Sequence, residues 1–126
     1  MQKINSLDDL NLPCKYINFL QKYLNNLSEI PTIEHIILFG SCARGHVHEH
    51  SDIDLMIIGD KITDDDETGI FYNCVPDLDI NDYVSTDVLV CTHDRYDTHK
   101  NEVGYVQRHI ELFGIDLTNC LNLKLI

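Results

Sequence analysis

Basic residues are scarce in this chain: nine Lys and Arg stand against 21 Asp and Glu, a formal net charge of −12. That shortage argues against a nucleic-acid polymer as the main substrate, because tight binding to a phosphate backbone is carried by clustered Lys and Arg. The acid surplus suits a basic protein partner instead. Long apolar runs are missing as well. None approaches the ~18 residues of a membrane-crossing helix, and Met1-Gln2-Lys3-Ile4-Asn5 lacks the apolar core of a signal peptide, so the chain is expected in the cytoplasm. Cys-x-x-Cys pairs are absent too. The five cysteines, at 14, 42, 74, 91 and 120, read as reduced thiols rather than a zinc or disulfide framework. No internal repeat, low-complexity tract or linker interrupts the sequence. What remains, 126 residues with 44% hydrophobic and 24% charged side chains, is the size and composition of one soluble domain over 1–126.

Hydrophobic periodicity gives the elements. Ser6-Leu7-Asp8-Asp9 has the form of a helix start, Pro13 suits the first turn of a second, and Ile17, Leu20, Leu24 and Leu27 make one apolar stripe that Pro31 stops. Strands are expected at about 35–39 and 53–58, with a short helix from Ser41 to Gly45 between them. Residues 59–82 read as loop with one short helix. There the run Asp64-Asp65-Asp66-Glu67 is a solvated face or helix start rather than a metal site. A third strand begins at Tyr83 and runs into Val88-Leu89-Val90-Cys91, expected to be buried. Val103, Val106, Ile110 and Phe113 then form a second helical stripe, capped by Gly114.

The chemistry lies between the first two strands. Ile36-Ile37-Leu38-Phe39 ends in Gly40-Ser41, a strand feeding a tight turn whose free N–H groups can hold phosphate. Ten residues later Asp52-Ile53-Asp54 opens the next strand. Residues two apart on a strand share a face, so these carboxylates project together, roughly 6–7 Å apart at Cα. Adjacent anions at the head of a buried strand need a counter-charge, which a pair of Mg²⁺ ions supplies. Asp87 is the natural third carboxylate, since it precedes an apolar strand while Asp77, Asp79 and Asp82 lie in turn-like sequence.

Leu38-Phe39-Gly40-Ser41-Cys42-Ala43-Arg44-Gly45, followed by Ser51-Asp52-Ile53-Asp54-Leu55, resembles the signature of minimal nucleotidyltransferases of the DNA polymerase β superfamily. The Gly-Ser-x10-Asp-x-Asp spacing is similar to that of small antitoxins paired with HEPN-domain ribonuclease toxins. The leading helix, the third-strand aspartate and the closing 105–114 helix extend the likeness over most of the chain. The resemblance implies a nucleotidyltransferase fold: α/β, a small mixed sheet with helices packed on one face and the metal site exposed on the other side. It implies transfer of AMP from ATP to a tyrosine hydroxyl of the toxin, which silences it. Gly40, Ser41 and Arg44 would hold the triphosphate, Asp52 and Asp54 would bind Mg²⁺, and Asp87 would complete the metal site and assist deprotonation. The chain departs from this pattern at Cys42, where relatives often carry a basic residue, so one phosphate contact is lost. Arg44 can instead support the loop by pairing with an acidic neighbour. The insert also carries His46, His48 and His50, read as a partly protonatable loop rather than a transition-metal site.

Two other functions share the signature. One is a nucleotidyltransferase acting on a small-molecule hydroxyl, which needs an acceptor pocket for which 126 residues leave little room. The other is a non-catalytic antitoxin that neutralises its partner by contact alone, although all three aspartates are present.

Overall fold

The computed structural model describes residues 1–48 and 50–121. Five strands form one mixed sheet in the order β1-β5-β2-β3-β4: β1 (Gln2–Lys3), β2 (His35–Phe39), β3 (Ile53–Ile58), β4 (Thr86–Cys91) and β5 (Ile115–Asp116). β3 runs antiparallel to β2, with Phe39 opposite Asp54, and parallel to β4. The C-terminal end of β2 and the N-terminal ends of β3 and β4 therefore meet at one end of the sheet.

The long helix α1 (Cys14–Leu27) follows Pro13, the residue immediately before its first turn. Its apolar stripe is wider than the aliphatic residues alone suggest, because Tyr16, Phe19 and Tyr23 are buried beside Leu20, Leu24 and Leu27. These side chains pack on Ile36 and Leu38 of β2 and on Ile53, Leu55 and Ile57 of β3. Full burial of each large side chain contributes roughly 1.5–3 kcal/mol. Tyr23 spans the gap to the next segment by donating its hydroxyl to the Ile70 carbonyl at 2.5 Å.

The alternate residues of the same strands, Ile37, Phe39, Met56 and Ile58, face the other way. A second, smaller core covers them, built with Cys91 of β4, Tyr96 of α4 (His93–His99) and Ile110 of α5 (Val106–Phe113). Both faces of the sheet thus carry helices, which corrects the expectation of helices packed on one face only. β2 is apolar from Ile36 to Phe39 and β3 from Leu55 to Ile58, and such strands are stable only when covered on both sides.

Two short helices complete the fold. α2 (Gly40–Arg44) follows β2 directly and ends on the left-handed Gly45. The acidic run lies in α3 (Asp64–Thr68), where Thr63 and Asp66 form a reciprocal capping box and four carboxylates meet the positive end of the helix dipole.

Three further expectations need correction. β4 begins at Thr86 rather than Tyr83, and it is an edge strand, so Asp87 and Leu89 are exposed while Val88 and Val90 are half-buried. Val103 lies outside α5 and is 93% exposed. Gly114 does end α5, but in an extended conformation (φ −72°) rather than a left-handed cap. Glycine is needed there for closeness: a Cβ would sit 2.6 Å from the Ile110 carbonyl and 2.8 Å from the Ile37 side chain.

Candidate active site

Asp54 and Asp87 are register partners on parallel neighbours, β3 and β4. Strand spacing alone places their backbones about 4.8 Å apart. Period-2 alternation puts the Asp54 and Asp87 carboxylates on the sheet face opposite α1, beyond the edge of the smaller core, and Asp52, just before β3, lies near enough for its charge to act on Asp54. The predicted triad is therefore brought together. Asp79 and Asp82 are not part of it; the Asp79 carbonyl accepts from the Asp82 and Tyr83 N–H groups in an exposed turn.

Burial is uneven across the cluster, with Asp52 and Asp87 exposed and Asp54 half-buried. Partial desolvation, then the charges of Asp87 and Asp52, push the Asp54 carboxyl up from 3.8 to about 6. Two ions about 3.5–4 Å apart would bridge such a carboxylate cluster. Hard carboxylate oxygens are the donors that Mg²⁺ prefers. The neighbouring Cys42 thiol does not compete as a thiolate: burial and the charge of Asp54 push it up to about 11, so it is neutral at ordinary pH.

Gly40 is tied to Asp54 by shape. Its φ of +73° is a conformation that L side chains avoid, and a Cβ there would overlap Asp54 Oδ2. The carboxylate thus packs directly against the turn that precedes α2, and Ser41 is half-buried in the first turn of that helix. Arg44, exposed at its C-terminal end, lies over the Phe113 ring at 5.2 Å from the centroid, a cation–π contact with α5 rather than the acidic pairing considered from sequence.

The support beneath the aspartates was missed at the sequence level. Cys42 points inward and its thiol donates to the Asp52 carbonyl at 3.3 Å. Tyr16 donates its hydroxyl to the Ser51 carbonyl at 2.7 Å and also lies 3.3 Å from that of His48. Together they hold the strand that delivers Asp52. The signal existed: residues 16, 20, 23 and 27 recur at steps of four, three and four, which puts Tyr16 on the core face of α1 with its hydroxyl free to reach further. His46, His48 and His50 are exposed, and among the described residues they form no convergent donor group.

A mixed sheet with adjacent strand-borne carboxylates beside a Gly-Ser turn is the arrangement of a nucleotidyl-transfer domain. The chain belongs to the family described as "Polymerase beta, Nucleotidyltransferase", whose model matches residues 18–110 and so covers Gly40, Ser41, Asp52, Asp54 and Asp87. Among solved structures it is similar to a Sulfolobus solfataricus protein provisionally named a nucleotidyltransferase, with 21% identity over 64% of this chain and 70% of that one, at a TM-score of 0.47. No curated protein matches the chain. Among the described residues no helix is long and apolar enough to cross a membrane.

Proposed function

We propose that this nucleotidyltransferase moves AMP from ATP to a tyrosine hydroxyl of a HEPN-domain ribonuclease toxin and so neutralises it. The observation that carries the transferase chemistry is the side-by-side placement of Asp54 and Asp87, with Asp52 next to them and the Gly40 turn packed against the Asp54 carboxylate. Asp52, Asp54 and Asp87 would hold two Mg²⁺ ions. Bound there, Mg²⁺ neutralises charge on the phosphates and makes pyrophosphate a better leaving group.

The chain's own groups supply the rest. The Gly40–Ser41 turn presents backbone N–H groups to the phosphates, and Arg44 stands beside it as a further cationic contact. The acceptor oxygen attacks the α-phosphorus, its new P–O bond replaces the bond to the β-phosphate bridge, and pyrophosphate departs. Asp87, exposed at the edge strand, takes the acceptor's proton. A protein acceptor is supported by the surface next to α2: Arg44 rests on Phe113, and Phe113 opens a shallow groove of about 610 Å³ with Tyr105, Leu112 and Val103. The acidic surface suits a basic, RNA-cleaving partner.

Intact mass spectrometry of the toxin after incubation with this chain, ATP and Mg²⁺ tests the reading. One or more added AMP groups are expected, lost with Asp52→Asn and with Asp87→Ala but retained with Asp79→Ala. An unchanged toxin mass, under conditions where the two proteins associate, would replace transfer with neutralisation by contact.

A further inference from the structure

The opposite end of the sheet carries a second convergent group of ligands. Glu34 immediately precedes β2, Asp60 follows β3 after Gly59, and His93 is the first residue of α4 just beyond β4. The sheet register, His35 opposite Ile58 and Ile58 beside Cys91, gathers these three flanking residues at one point. β3 alone separates it from the aspartate cluster by six residues, roughly 20 Å.

His93 Nδ1 lies 3.0 Å from Glu34 Oε2 and 3.3 Å from Asp60 Oδ1, and the three donor atoms are all within 4.8 Å of one another. A tetrahedral ion with bonds of 2.0–2.2 Å to nitrogen and oxygen sets its ligands about 3.3 Å apart, so these spacings fit the edges of such a polyhedron. Without an ion, the single proton that Nδ1 can carry would have to be shared between two carboxylate oxygens. The oxygens are held independently: Glu34 Oε2 accepts from the Asp60 N–H at 3.0 Å, and Asp60 Oδ1 accepts from the His93 N–H at 2.9 Å. A second imidazole, His35, packs edge-on against the His93 ring at 5.2 Å between centroids. Side-chain exposures of 34% for His93, 46% for Glu34 and 55% for Asp60 leave the point open to solvent.

The geometry points to a zinc-class divalent metal site formed by Glu34, Asp60 and His93, separate from the nucleotidyl-transfer centre. One imidazole nitrogen with two carboxylates suits Zn²⁺ and its first-row neighbours, whereas the aspartate cluster offers the all-oxygen set that suits Mg²⁺. An ion there would join the start of β2, the end of β3 and the first turn of α4, and so clasp the smaller core from below.

Calorimetric titration of the full chain with Zn²⁺, with millimolar Mg²⁺ present to occupy the aspartates, tests the site in the parent and in His93→Ala, Asp60→Asn and Asp87→Asn. One equivalent of Zn²⁺ is expected in the parent and in Asp87→Asn, weakened at least tenfold in His93→Ala and Asp60→Asn. The ¹⁵N resonances of the His93 ring should move on Zn²⁺ addition at pH 7. Absence of Zn²⁺ binding overturns the proposal, as does equal binding by all four proteins, which would assign the ion to other donors such as His46, His48 and His50. A His93 ring that does not respond to Zn²⁺ would make the cluster a hydrogen-bonded ion pair instead.

Discussion

Replacing Asp54 with Asn should stabilise the metal-free protein, although the residue sits at the centre of the proposed chemistry. Desolvation together with Asp87 and Asp52 pushes its carboxyl from 3.8 to about 6, so ionised Asp54 opposes folding. At 1.36 kcal/mol per pH unit the shift corresponds to about 3 kcal/mol. Because Asp54 is only half-buried, solvent screening reduces this to about 1–2 kcal/mol. The sign follows from proton binding. Below pH 3.8 the carboxyl is protonated in both states and costs nothing. Between 3.8 and about 6 the folded state keeps a proton that the unfolded chain has released, so parental stability declines as pH rises. Above about 6 the penalty is complete. Asp54→Asn has no charge to lose, so its advantage should be near zero at pH 4 and reach about 1–2 kcal/mol at pH 7–8, or about 3–8 °C in Tm. Urea unfolding of both proteins in EDTA at intervals from pH 4 to 8 measures it. A difference independent of pH, or a variant less stable than the parent at pH 8, would refute the electrostatic account. Adding Mg²⁺ should reverse the order by stabilising the parent alone, as mass action requires of a ligand held by that carboxylate.

Gly40→Ala should cost about 2–4 kcal/mol, from the left-handed backbone and the overlap with Asp54 Oδ2. In an Asp54→Ala background the same change should cost only the backbone part, about 1–2 kcal/mol, and additive costs in the double-mutant cycle would show that the two residues do not collide. Tyr23→Phe should lower stability by about 1–3 kcal/mol by leaving the buried Ile70 carbonyl without its partner; an unchanged urea midpoint would mean the hydroxyl does not anchor α1 to that segment.

Much of this protein follows from local pattern. Continuous apolar runs ended by Gly40 and begun by Asp52-Ile53-Asp54 define β2 and β3 within a residue, because a run of β-formers stopped by a turn residue has few other conformations. The i, i+3, i+4 recurrence defines α1 for the same reason. Their spacing then sets Asp52 and Asp54 at the head of β3, where the charge of Asp52 reaches Asp54. Other features depend on which segments become neighbours. The partnership of Asp87 with Asp54 is a matter of parallel register, and the exposure of β4 is a matter of edge position. The two-residue strands β1 and β5 carry too few residues for any period and exist only because each pairs with the other and β5 with β2. Tyr16, Cys42, Phe113 and the Glu34–Asp60–His93 group act through contacts across 10 to 69 positions of chain. The α1 stripe places Tyr16 on the core face, but the partners of all these residues are set by sheet order and packing rather than by local conformational preference.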